Sequence, residues 1–90
     1  MRRFRFVVTG RVQGVGFRAC AAAEARRLGV QGHVRNRRDG AVEGEAQGEP
    51  DRVSSFAEWL RRGPPFSQVA TVDLQEIPLV EGRSDFEIRR

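Results

Sequence analysis

From Phe4 to Val12 the chain alternates between apolar and polar positions. Phe4, Phe6, Val8, Gly10 and Val12 share one face, while Arg3, Arg5, Thr9 and Arg11 mostly take the other, the period of a half-buried β-strand. At Phe17 the period lengthens. Phe17, Cys20, Ala21, Ala25 and Leu28 recur at helical spacing in an alanine-rich run, and Gly29 follows as a C-terminal stop. A strand therefore feeds a helix through Gln13-Gly14-Val15-Gly16. Residues 30 to 48 read as a hairpin, with Val30, Gly32, Val34 and Asn36 on one face of its first strand and Val42, Gly44 and Ala46 on one face of its second. A two-residue loop at Asp39-Gly40 would set Val34 against Glu45 and mix the faces. A three-residue loop, Arg38-Asp39-Gly40 with Gly40 left-handed, sets Val34 against Gly44 and Asn36 against Val42, and is the one expected.

A second helix is predicted from Pro50, a favoured first-turn residue, with Glu49 and Asp51 beside the positive end of its dipole. Val53, Phe56, Ala57 and Leu60 form its apolar stripe, Trp59 sits at the edge of that stripe, and Gly63-Pro64-Pro65 ends it. A less cleanly alternating strand follows around Val69 to Ile77, and a short last strand is expected to carry Phe86 and Ile88 inward. The order is β-α-β-β-α-β with an extra C-terminal strand. That order implies an α+β, ferredoxin-like sandwich, two helices on one face of a mostly antiparallel sheet, and 90 residues make it a single domain over 1–90.

Composition sharpens this picture in three places. Hydrophobic content of 39% with 31% charged residues fits a folded chain, and no apolar run is long enough to span a bilayer. With the charged, alternating N-terminus, this leads to an expected cytoplasmic protein with no membrane association. One cysteine, Cys20, forms no internal disulfide. All 16 basic side chains are arginine, which excludes a Walker-type phosphate loop and Schiff-base chemistry, both of which need lysine. The net charge of +4 suits an anionic partner without saying which.

The candidate chemistry lies in Gly10 to Arg18, GRVQGVGFR. A glycine turn between a strand and a helix leaves successive backbone N–H groups aimed into one concavity at the positive end of the helix dipole, where a phosphate sits well. Arg18, in the first helical turn, can close that cradle with a forked guanidinium. Asn36 falls on the inward face at the end of its strand, where its carboxamide either bonds to nearby backbone or, as both donor and acceptor, holds a water.

These strings, GRVQGVGFR and GHVRNRRDGAVEG, with the later EWLRRGPP and the terminal FEIRR, resemble the acylphosphatase family over essentially the whole chain. The resemblance implies a ferredoxin-like fold and hydrolysis of a carboxyl–phosphate bond in a small acyl phosphate, with no cofactor and no metal. It implies a phosphate-binding arginine at Arg18, a water-orienting asparagine at Asn36, and a cradle formed by Gln13, Gly14, Val15, Gly16 and Phe17. The chain departs from the family's frequent aromatic residues at His33 and Cys20, neither of which is a site position. Because a carboxylate leaves readily, no general acid is required, and the bound substrate is expected to accept the proton of the attacking water.

Rival readings are weaker. Cys20 and Arg26 have the C-x5-R spacing of cysteine-dependent phosphatases, but Ala-Ala-Ala-Glu-Ala between them favours helix, and Cys20 is expected on the apolar stripe as a small hydrophobe. His33 has no second soft ligand nearby and reads as a surface residue. Arg35, Arg37 and Arg38 read as a solvated turn. A non-catalytic ferredoxin-like anion- or RNA-binding module is the alternative function. RNA readers need exposed strand aromatics, however, and Phe4 and Phe6 fall on the helix-facing side, so no nucleic-acid partner is expected. Acylphosphatase-like modules also open larger hydrogenase-maturation proteins, which continue into zinc-binding cysteine pairs. With one cysteine here, a free-standing, monomeric enzyme is the better fit.

Overall fold

The computed structural model describes residues 1–82 and 85–90. In chain order the elements are β1 (Arg2–Arg11), α1 (Phe17–Leu28), β2 (Gln31–Asn36), β3 (Val42–Gly48), α2 (Pro50–Arg62), β4 (Gln68–Ile77) and β5 (Phe86–Arg89). The strands form one sheet in the order β4-β1-β3-β2-β5. All neighbours are antiparallel except β2 and β5, which run parallel. No helix among the described residues is long and apolar enough to cross a membrane.

Each helix ends where local chemistry stops it. Gly29 closes α1 at φ 71, and its N–H and that of Val30 bond back to the carbonyls of Arg26 and Ala25 at 3.2 and 2.8 Å. Pro50 opens α2, and the N–H of Gly63 caps it on the carbonyl of Trp59 at 2.8 Å. The hairpin takes the expected register, Val34 with Gly44 and Asn36 with Val42, around a tip in which Gly40 has φ 96.

The core lies between the helices and the inner sheet face. Phe4, Phe6 and Val8 from β1 meet Phe17, Ala21 and Ala25 from α1 and Val53, Phe56 and Leu60 from α2, all buried. Phe56 takes edge contacts from Phe6 and Phe86 at 5.9 and 5.5 Å, an arrangement that adds ring electrostatics to area burial. The small residues of β3 make room for those rings. A β-carbon at Gly44 would stand 2.5 Å from Cζ of Phe6 and 2.1 Å from the carbonyl oxygen of His33. Only glycine lets Phe6 lie across the hairpin.

Two apolar assignments need correction. Cys20 is exposed rather than part of the core. The buried arc of α1 runs from Phe17 through Ala21 and Ala25 to Ala22, and at 100° per residue Cys20 falls outside it on the far side of Phe17. Ile88 shares the inward side of β5 with Phe86 yet is 45% exposed. It sits where the sheet passes the start of α1, so no helix covers it, and it faces an open hollow instead. The uneven pattern of β4 also has a cause: Thr9 pairs with Thr71 but Gly10 with Val69, so Ala70 is an extra residue. This bulge lets both Val69 and Val72 pack on the core three positions apart.

Candidate active site

The carboxyl ends of β1, β2 and β5 lie at one end of the sheet, beside the start of α1. Between β1 and α1 the connection is pinned by apolar residues: Val12 and Phe17 are buried and Val15 packs against the core. Between these anchors Gly14 and Gly16 take φ 74 and 75, with open space where a β-carbon would stand. Left-handed backbone, not crowding, is what selects glycine at both positions. The first bond of the helix runs from the N–H of Cys20 to the carbonyl of Gly16 at 3.0 Å, so the N–H groups of Phe17, Arg18 and Ala19 have no acceptor within the helix. They stand at the positive end of its dipole, and no side chain among the described residues caps them.

A hollow of about 300 Å³ opens at this point, lined by Gly14, Gly16, Phe17, Arg18, Asn36 and Ile88 together with Val12 and Ala19. The structure thus brings Arg18 and Asn36, 18 positions apart, to one concavity with the glycine turn. Arg18 donates from Nη1 to the carbonyl of Arg89 at 3.1 Å, which ties the first turn of α1 to the end of β5 and leaves the other guanidinium N–H groups for a ligand. Gln13 does not line the hollow. Its Nε2 donates to the carbonyls of Arg37 and Ala41 at 2.7 and 2.9 Å. The contributions of Ile88, of the Arg89 carbonyl and of the Gln13 amide all carry no sequence signal, since each depends on contacts between distant segments.

Among the described residues lining this hollow there is no carboxylate, histidine or cysteine side chain. Cys20 points away, and His33 lies on the helix-free face of the sheet beside Arg89 and Glu45, where burial and then Arg89 hold its pKa below the usual value. Among the described residues no three metal-ligating side chains gather.

The helix-free face carries an ion cluster centred on Glu43. Arg35 and Arg5 bond to its carboxylate, the latter at 3.2 Å, and Arg37 stands 3.6 Å away. Arg35 is therefore anchored by a buried acid, and Arg37 bonds to Asp39 at 2.8 Å with Glu43 beside it, which corrects the reading of this run as a solvated turn. Arg38 alone fits that description, with no ion pair among the described residues. The cluster draws half-exposed arginines against β3 directly beneath the strand that presents Asn36.

Burial pushes the Glu43 carboxyl up, but Arg35, Arg5 and Arg37 together outweigh it and hold the group below its ordinary range. A depressed folded-state pKa contributes stability above the unfolded value of about 4.3, which is lost as pH falls through the folded value. Glu43→Gln is accordingly expected to lower Tm by roughly 4–8 °C at pH 7, about 1 kcal/mol after discounting for the exposure of its partners. The gap between variant and parent should close as thermal melts are taken to progressively more acidic pH. A gap that does not narrow as the pH falls would show that the carboxylate's charge is not what matters.

A family model described as acylphosphatase matches residues 4–88, a span that includes the glycine turn, Arg18, Asn36 and β5 up to Ile88. The chain belongs to the acylphosphatase family. It is 53% identical over 79 residues to an acylphosphatase from Bifidobacterium longum, covering 88% of this chain and 81% of the relative. It is 48% identical over 87 residues to one from Anaeromyxobacter dehalogenans, covering 97% and 94%. The crystal structure of acylphosphatase from Bacillus subtilis superposes with a TM-score of 0.95 at 41% identity over the full length of both chains. The acylphosphatase fold therefore extends over the whole chain, from β1 to the β5 strand that holds Arg18 in place.

Proposed function

We propose that this chain hydrolyses small acyl phosphates to a carboxylate and inorganic phosphate, using Arg18, Asn36 and the backbone of Gln13 to Phe17 with Arg18. The observation that carries the reading is the convergence of Arg18, Asn36 and the uncapped start of α1 on one hollow without an ionisable base. Membership of the acylphosphatase family supports it.

The amides of the glycine turn and the Arg18 fork hold the phosphoryl oxygens and stabilise charge as it spreads over them. The Asn36 carboxamide accepts from a water and aligns it with phosphorus. The water oxygen bonds to phosphorus as the bond to the acyl oxygen breaks. The acyl group leaves with that electron pair as a carboxylate, and the water proton passes to a phosphoryl oxygen, leaving dihydrogen phosphate. No protein group needs to gain or lose a proton, in keeping with the side chains that line the hollow. A nucleic-acid partner is not part of this reading, because Phe4 and Phe6 are buried under the helices and offer no stacking platform.

The test is hydrolysis of benzoyl phosphate with excess chelator present, following benzoate and phosphate together. Equal amounts of both products, competitive inhibition by inorganic phosphate and a pH profile without an enzyme histidine or carboxylate are the expected results. Absence of turnover by the intact protein, or turnover that the chelator abolishes, would overturn the reading.

A further inference from the structure

The Gln13 side chain is the least expected part of the site. It leaves the turn between Val12 and Gly14 and crosses to the hairpin, where one amide nitrogen donates to two carbonyls, of Arg37 and Ala41. Those two residues already close the hairpin, because the N–H of Arg37 donates to the carbonyl of Ala41 at 2.8 Å. The oxygen of Ala41 thus accepts twice, and Gln13 locks the last pair of the tip. Asn36 immediately precedes that pair. Among the described residues these are the hydrogen bonds that join the turn to the hairpin.

Geometry also dictates the residue type. Two converging carbonyl oxygens need two N–H donors on one atom at the end of a side chain long enough to leave the turn, which glutamine supplies. Glutamate would aim a negative oxygen at both. Between the apolar anchors Val12, Val15 and Phe17, the positions of Gly14 and Gly16 have open space where a β-carbon would stand, so the two glycines themselves add no side-chain contact to β2.

We propose that Gln13 is a positioning residue that fixes Asn36, and hence the attacking water, relative to the phosphate held by the turn. This rests on the reaction proposed above and deepens it. Holding the phosphate is then a task of the turn and Arg18 alone, and aligning the water depends on Gln13. Misplacement of a reacting group by about 1 Å costs up to two orders of magnitude in rate.

In the full chain, Gln13→Ala is expected to lower kcat for benzoyl phosphate by roughly 10- to 100-fold while the inhibition constant of inorganic phosphate changes less than about threefold. A double-mutant cycle should show that Asn36→Ala costs at least about tenfold less in the Gln13→Ala background than in the parent, because the displaced asparagine has little left to lose. If Gln13→Ala does not fold, Gln13→Met keeps the volume and removes both donors. Amide hydrogen exchange gives a readout that needs no turnover: the Arg37 N–H should lose protection in Gln13→Met while core amides of β1 keep theirs. Independent effects of the two substitutions, an equal loss of phosphate affinity, or an unchanged Arg37 amide would each overturn the inference. Lack of turnover in the parent would instead remove the proposed reaction and leave the exchange result to stand alone.

Discussion

Arg18→Ala is expected to lower kcat/KM for benzoyl phosphate by about 1000-fold, close to 4 kcal/mol of transition-state stabilisation. Among the described residues lining the hollow, the Arg18 guanidinium is the one full positive charge of a side chain, where the phosphoryl group concentrates its negative charge. Backbone amides and a helix dipole offer partial charges, so they retain some phosphate but cannot replace a forked cation. The inhibition constant for inorganic phosphate should rise as well, since the ground state also loses its clamp. Arg18→Lys separates charge from geometry: an ammonium is a point charge that cannot span two oxygens, so only part of the loss should be recovered. Because Arg18 also bonds to the carbonyl of Arg89, circular dichroism and a thermal melt must show that β5 remains docked. Full activity in Arg18→Ala would remove this residue from the site.

Asn36→Ala follows with an expected fall in kcat of roughly 100- to 1000-fold, the range seen when one preorganised polar group is removed. Here the two kinetic constants should part company. Asn36 handles the water rather than the phosphate, so KM and phosphate inhibition should stay within about threefold of the parent. Asn36→Asp keeps the shape but sets a carboxylate beside a phosphate dianion, and like charges there should raise KM in addition to lowering kcat. A loss shared equally by kcat and phosphate affinity would place Asn36 on the phosphate and not on the water. Stability should change little, since Asn36 lies at the end of β2 and is only half buried.

Much of this architecture is legible in the chain because it depends on short-range rules. Alternation located β1, and the change of period at Phe17 located α1. Keeping the apolar and small residues of the two strands on one face selected a three-residue hairpin loop with Gly40 left-handed, and with it the pairing of Asn36 and Val42. Glycines at Gly14 and Gly16 and the arginine two positions later marked the turn for the same reason: backbone handedness is a local property. Cys20 was misplaced because spacing gives the face of a helix only to within a residue, and alanine on every side hides where the buried arc ends. Ile88 was misplaced because strand parity gives the side of the sheet a residue faces, not whether a helix lies over it.

By itself the sequence determined the elements, their order, the hairpin register and the kind of ligand the glycine turn can hold. Tertiary structure alone decided that Glu43 gathers Arg5, Arg35 and Arg37, that Arg18 is tied to β5 across 71 positions, and that Gln13 spans from the turn to the hairpin. Periodicity and turn chemistry act over a few residues, so they can be read in line. Ion clusters and side-chain bridges form between segments that become neighbours only when the sheet assembles, and nothing in the local pattern of either segment records the other.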